Sequence, residues 1–346
     1  MKILHISYID KVGGGASIAA LRLHKGFLKR GYVSNFWCIK KITEDLSMER
    51  FDKACALIFN DYSRSQLKKW IIEGRVLLNN EIASPKEIVT TDDEISLNPI
   101  FKKIIQWEPE NIDFEVIHED ENFLIINIPS KLVIHPGSGC NSGTLANGLL
   151  FKYPELNKIP RAGIVHRLDK DTSGILLVAR TEKFRNYFVS LLQERKVKKI
   201  YKAVVVGKII GSFQINEPIG RDKTNRIKMS IRSDGKEAIS FVKLHESLGN
   251  YSIVDISIET GRTHQIRVHL ANKKLPIIGD KTYNSAGNIA KETSQELTES
   301  IRSFPRQALH SCNLSFKDMS SDNIISFESH LPNDIKTLIN TIKKHI

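Results

Sequence analysis

Cysteine is scarce: 4 in 346 residues, at Cys38, Cys55, Cys140 and Cys312, with no CxxC pair among them. That scatter argues against a disulfide framework and a thiolate zinc site and suits a reducing compartment. Also missing is any apolar run near the roughly 18 residues of a membrane span; Ile175 to Ala179 has the length of a strand. Met1-Lys2-Ile3 leads into no signal-peptide core or cleavage site, so the chain is expected to stay in the cytoplasm, away from membranes. There is no internal repeat or low-complexity tract. Hydrophobic residues at 41% and charged ones at 26% exclude a disordered, collagen-like or coiled-coil chain.

What is present in excess is positive charge. The 51 Lys and Arg outnumber the 39 Asp and Glu, a formal +12, which points to a polyanion and to nucleic acid ahead of a membrane surface. The length suggests about two domains. From Arg180 to Lys236 there are 15 basic and 5 acidic residues, clustered at Arg195-Lys196-Val197-Lys198-Lys199 and between Arg221 and Lys228. One such cluster would be explained by a solvated helix end or a charged hairpin. Two clusters flanking a strand-rich stretch favour phosphate contacts, which give affinity without sequence preference.

The N-terminus reads strand, glycine loop, helix: Lys2 to Ser7, then Gly13-Gly14-Gly15, then Ser17 as a cap for a run to Lys29 before Gly31. A glycine loop opening a helix can hold phosphate, yet Ile18 stands where GxGxxG needs its third glycine, and the P-loop pattern is absent too. A tight turn between strand and helix explains it as well. Residues 1–40, within an N-terminal segment bounded at 1–45, resemble the opening of a two-domain nucleotide-sugar glycosyltransferase. One such unit cannot bury both faces of a parallel sheet, so it is expected to be an appended fragment without activity of its own.

Residues 50–98 form a different unit. An amphipathic helix over 50–59 is followed by a second from Arg64 to Glu73, capped by Ser63 and ended by Gly74, then by strands at Val76 to Asn80 and Glu94 to Leu97. Arg64, Lys68 and Arg75 keep to one side of the second helix, while Leu67, Ile71 and Ile72 supply an apolar side. Through Asp61 to Ser65 and Gly74 to Asn80 the segment resembles the RNA-binding module named after ribosomal protein S4, with Arg64, Lys68, Lys69 and Arg75 as its RNA contacts. Its 7 basic and 8 acidic residues nearly cancel, so RNA affinity must come from their arrangement.

Residues 99–113 suit a linker. Beyond it, over 114–346, strands are expected at 114–118, 123–127, 132–134, 175–179, 203–206 and 254–258, and helices near 144–153, 184–195 and 334–344. This irregular mixture favours an α+β domain over βαβ repeats.

Two passages carry more polar residues than their apolar surroundings explain: Arg161 to Gly174, running into the strand at Ile175, and Glu259 to His269, read as a loop at a strand end. His264 and His269 lack a third ligand, so no metal is expected. His166, Asp169 and Ser173 lie within eight residues and no GxSxG elbow exists, which argues against a nucleophilic serine. What remains is a carboxylate among cations, Asp169 beside Arg167 and Lys170, with Arg267 available from the second passage. Asp169 is equally readable as a turn residue before Asp171 to Gly174.

At these residues the chain resembles the RluA family of pseudouridine synthases. His166-Arg167-Leu168-Asp169 with Thr172-Ser173-Gly174 matches that family's signature, Gly261 to His269 its second arginine motif, Tyr201 in Lys199 to Ala203 its tyrosine motif, and Arg306 to His310 its C-terminal one. The resemblance implies a mixed, mostly antiparallel catalytic sheet behind the S4-like module. It also implies a cofactor-free isomerisation, with Asp169 the essential carboxylate, as nucleophile or as base for the 2′ proton. Tyr201 would stack on the base and remove, or position the group that removes, the ring proton; Arg267 would pair with Asp169. Arg167 would fill the space of the flipped uridine, and His166, Thr172, Ser173, Gly174, Arg262, His264, Gln265 and Ile266 would complete the substrate site. Arg195, Lys198 and Lys199 would bind RNA. The implied partner is large-subunit ribosomal RNA at helix 69, free or in an assembling subunit, met by a monomer. One departure stands out: Asn127-Ile128-Pro129-Ser130-Lys131 replaces the family's Asn-Lys-Pro-Ser-Gly, losing a cation and a turn glycine. The competing readings are a non-catalytic ribosome-assembly factor, on the basic stretch and the module, and a sugar transferase, on Gly13 to Gly15 alone.

Overall fold

The computed structural model describes residues 2–8, 33–59, 62, 64–99, 107–137, 140–285 and 287–346, with the backbone alone for 2–8 and 33–36. The glycine loop, the Ser17 and Ser63 caps and the helix to Lys29 lie outside the described residues. The chain divides into two compact units, Met1–Ile105 and Gln106–Ile346.

In the first unit β1 (Lys2–Tyr8) runs parallel to β2 (Val33–Lys41). The fragment and the S4-like module share a sheet, because β2 also pairs antiparallel with β4 (Glu94–Leu97), which in turn holds β3 (Val76–Leu78). Two helices complete it, α1 (Phe51–Ile58) and α2 (Arg64–Ile72). Phe51, Ala54 and Cys55 recur at helical spacing on α1 and are fully buried, facing Leu67, Trp70 and Ile71 of α2. Ile72, expected on the apolar side, is 67% exposed; the turn of the helix carries it past the seam that Ile71 fills.

The second unit is built on a nine-stranded mixed sheet. Its strands are β5 (Glu115–Glu119), β6 (Phe123–Ile128), β7 (Ser173–Ala179), β8 (Lys198–Val206), β9 (Ser212–Asn216), β12 (Ile239–Leu248), β13 (Tyr251–Ile258), β14 (Leu309–Lys317) and β15 (Ile324–Glu328). The order is β5-β6-β7-β14-β8-β13-β12-β9, with β15 on β14; a separate ribbon pairs β10 (Ile219–Arg221) with β11 (Met229–Ile231). Among the described strands of this sheet only the β7–β14 pair is parallel. β6 over residues 123–126 and β7 over residues 175–179 are apolar because helices cover both of their faces. Leu124, Ile126, Leu176 and Val178 point into the main core, while Phe123, Ile125, Ile175 and Leu177 point into a second one. That second core is closed by α4 (Glu182–Gln193), whose Phe184, Phe188 and Leu191 are buried and whose N-terminus Thr181 caps at 3.1 Å. The main core receives α3 (Leu145–Lys152), α6 (Gln295–Ser303) and α7 (Asn333–Lys344).

Two expectations are corrected. Residues 132–134 form no strand: Val133 makes an isolated bridge to Thr144, and the Val133 and Ile134 carbonyls accept from the first N–H groups of α3, Leu145 and Ala146. The second polar passage is a loop only as far as His264; from Gln265 it is helix α5 (Gln265–Asn272).

Candidate active site

The parallel pair β7–β14, with His310 opposite Ser173, and the antiparallel neighbours β8 and β13 bring together chain segments more than a hundred residues apart. Asp169 lies in the loop entering β7, and Tyr201 stands on β8 between Ser311 and Ile256. Together with Arg167, Arg262 and Ile266 they line a cavity of about 80 Å³.

Arg267 is buried on the first turn of α5. It was expected to pair with Asp169, but its main partner is Asp280, a residue the sequence reading did not single out. Nε and Nη2 donate to the two Asp280 oxygens at 2.7 and 2.8 Å. Its Nη1 faces Asp169 at 3.6 Å, an ion pair longer than a hydrogen bond. Burial pushes the Asp280 carboxyl up, but the arginine and the N–H groups of Thr282 and Tyr283 outweigh it and hold it below the usual carboxylate range. Beneath the guanidinium, 5.1 Å away, lies the ring of Tyr283. An isolated acid directly after the apolar run Leu275 to Gly279 was the available signal for this position.

Tyr201 is 7% exposed. Burial first, then the negative charge of Asp169, push its phenol well above the ordinary value, so the hydroxyl keeps its proton. His264 enters α5 with a left-handed φ of 56°. Its Nδ1 lies 2.8 Å from the Tyr283 hydroxyl, whose oxygen already accepts the Met229 N–H. Burial lowers the His264 pKa, so Tyr283 donates to the neutral ring. His269 turns elsewhere, to Ser240 and the Glu217 carbonyl at 3.0 Å each.

Several expected substrate contacts are occupied by the scaffold instead. His166 Nε2 accepts the Leu177 N–H at 2.9 Å, and burial depresses its pKa to about 3, so the neutral ring locks the loop onto β7. Ser173 donates to Nδ1 of His310 at 3.0 Å, and Thr172 accepts from Gln307 at 2.9 Å. Gly174, at φ 114°, passes so close to β14 that a Cβ would stand 2.2 Å from the Ser311 oxygen. Gln265 bonds Thr260, the Arg262 N–H, Ile239 and Ser240. The C-terminal motif clamps the same loop: Gln307 donates to Lys170 O at 2.6 Å, and Arg306 bridges Asp171 O to Asp334. Thus Arg167, Asp169, Tyr201 and Arg262 line the cavity with Ile266; Thr172 and Gln265 also reach its wall but spend their polar groups on the scaffold, and His166, Ser173 and Gly174 hold the loop from behind.

The expected RNA contacts divide in a similar way. Lys68 and Lys198 are exposed. Arg64 is tied at 3.0 Å to buried Asp52, and Lys69 lies 3.5 Å from Glu73. Arg75 is half-buried and Arg195 pairs with Glu237. Lys199 is buried. In the turn that lost its glycine, Lys131 itself takes φ 77°, so the backbone shape is kept without the residue that adopts it most easily.

The family model described as RNA pseudouridylate synthase matches residues 122–272, and the S4 domain model matches 49–95. The chain is 37% identical over 297 residues to "Ribosomal large subunit pseudouridine synthase D" of Vibrio parahaemolyticus, covering 86% of this chain and 91% of the relative. To the protein of that name from Escherichia coli (strain K12) it is 37% identical over 303 residues, covering 87% and 93%. The solved structure titled "Human RNA Pseudouridylate Synthase Domain Containing 4" shares the fold, with a TM-score of 0.53 at 22% identity over 66% of this chain and 92% of that one. With this coverage and a sheet of the same kind, the chain belongs to the RluA family of RNA pseudouridine synthases.

Proposed function

We propose that the protein isomerises specific uridines of large-subunit ribosomal RNA to pseudouridine, at helix 69, in the cytoplasm, as a monomer acting on free RNA or an assembling subunit. The observation that carries this reading is the single half-buried carboxylate, Asp169, sharing one small cavity with Tyr201 and facing Arg267. The reaction breaks the bond from C1′ to N1, turns the detached uracil and closes a bond from C1′ to C5; the C5 proton is lost and N1 gains one. Nothing is oxidised or reduced, so positioning rather than a reagent is what the site must supply, and no cofactor is called on.

Asp169 attacks the sugar or takes its 2′ proton. Tyr201, with its proton retained, packs on the uracil and donates a hydrogen bond, which supports a positioning role over that of the base. Arg167, exposed at the cavity mouth, takes the place of the flipped uridine in the RNA. Residues 50–98, with Lys68 exposed, and the basic ribbon β10–β11 bind the surrounding RNA.

The test is to incubate the full chain with unmodified large-subunit RNA and map pseudouridines by carbodiimide-dependent primer stops. Stops in helix 69 with the wild type and none with Asp169→Asn are expected. Modification surviving that substitution would remove Asp169 from its role, and tight binding with unchanged nucleotides would favour an assembly factor.

A further inference from the structure

Lys199 and Tyr201 are two residues apart on β8 and therefore share a face of the sheet. Tyr201 lines the cavity of Asp169, whereas Lys199 lines a neighbouring one of about 510 Å³ that shares Arg167, Tyr201, Gly261 and Arg262 with it. Lys199 is only 9% exposed. Among the described residues no carboxylate lies within ion-pair distance of it and none of its three donors finds an acceptor. A buried ammonium without a counter-charge is costly, and its burial brings the pKa down to about 8 with no attraction to offset it. The rest of the wall adds to the imbalance. Arg167 and Arg262 also have no carboxylate within 4 Å among the described residues, while Glu259, the one acid in the lining, is engaged by Arg195 at 3.8 Å. Opposite the ammonium, Gly261 leaves the approach open, since even a Cβ there would stay 3.7 Å from Nζ.

We propose that Lys199, with Arg262, forms an anion subsite that seats a backbone phosphate next to the flipped uridine, the substrate bringing the counter-charge that the fold omits. This rests on the reading of the chain as a uridine isomerase and gives Lys199 a positioning role: a phosphate fixed here sets the register of the nucleotide that enters the Asp169 cavity. The titratable and charged groups that face Lys199 are His166, Arg167, Arg195, Tyr201, Glu259 and Arg262. His166 is held neutral and Tyr201 protonated, so a loss of affinity as pH rises through about 8 belongs to Lys199.

The experiment compares the full chain with Lys199→Met and Lys199→Arg in binding an unmodified large-subunit RNA transcript across a potassium chloride series. Lys199→Met is expected to weaken binding about tenfold at low salt. It should also make the plot of log affinity against log salt shallower by about 0.7 to 0.9, the signature of one lost phosphate contact. Its KM should rise with little change in kcat, its affinity should no longer fall above pH 8, and it should unfold at a temperature no lower than the wild type. Lys199→Arg should restore the salt slope. An unchanged slope with a lowered unfolding temperature would make Lys199 a structural residue and overturn the proposal. If the wild type makes no pseudouridine but Lys199→Met still flattens the slope, the isomerase reading fails and the subsite stands; the converse pair of results sinks the subsite alone.

Discussion

Asp280 and Asp169 share the charge of Arg267 unequally, and that inequality is what the site is built on. Two hydrogen bonds fix the guanidinium to Asp280 and leave only Nη1 turned to Asp169. Asp169 thus faces a cation that is already immobilised and does not need to hold it. Asp280→Ala should therefore do two things: cost about 3 to 5 kcal/mol of stability by stranding a buried arginine, read by urea unfolding, and lower kcat although Asp280 lines no part of the cavity. Asp280→Asn, which keeps the shape, should recover part of both losses. Tyr201 makes a second residue-scale prediction. Since burial and Asp169 raise its phenol above the ordinary value near 10, the single-turnover rate should not rise between pH 8 and 10, as it would if a phenolate were the base.

At the scale of elements, the loop carrying Asp169 is rigid because three segments grip it. His166 ties it to β7, Gln307 and Arg306 hold its carbonyls, and Ser173 meets His310 across the β7–β14 pair. His310 donates to the Ser329 carbonyl and accepts from Ser173, so it must be neutral; burial, foremost, lowers its pKa to about 4. A histidine whose folded pKa lies below its unfolded value contributes stability that is complete above about 6.5 and is lost as pH falls toward the folded value. Acidification from pH 7 to 5 should cost about 2 kcal/mol at this one group, and His310→Asn should blunt the fall in unfolding temperature. The turn after β6 supplies a gain instead. Lys131 holds φ 77°, a strained choice for a residue with a Cβ, so Lys131→Gly should stabilise by up to about 1 kcal/mol in the same denaturation assay.

Over the whole molecule, charge and strand pairing decide more than the sum of motifs. Of the basic residues expected to meet RNA, Arg64 and Arg195 answer carboxylates of their own unit and Lys199 faces a cavity rather than the outer surface, so the formal +12 overstates the outer surface available to phosphate. The first unit is one sheet, not a fragment beside a module, since β2 covers the edge of β4. Deleting residues 1–45 removes two of its four strands and bares that edge; calorimetry should show the transition of this unit lowered or lost.

Local pattern was enough for much of this. The alternation and apolar runs of β6, β7 and β13, the spacings of α1, α2 and α4, and the crowding of polar residues around Asp169 and Arg267 are properties of short windows, which the sequence contains in full. It did not contain the partner of Arg267, because Asp280 meets it only after the chain turns from α5, and one acid after an apolar run looks like any turn residue. Nor did it distinguish Lys198 from Lys199: two adjacent lysines on a strand point to opposite faces, and only the sheet determines which face is covered. Sequence alone determined the S4-like module, the catalytic carboxylate candidate and the family. Tertiary structure decided which charges are already answered and which remain for the substrate, because that depends on distances between segments that no window of sequence spans.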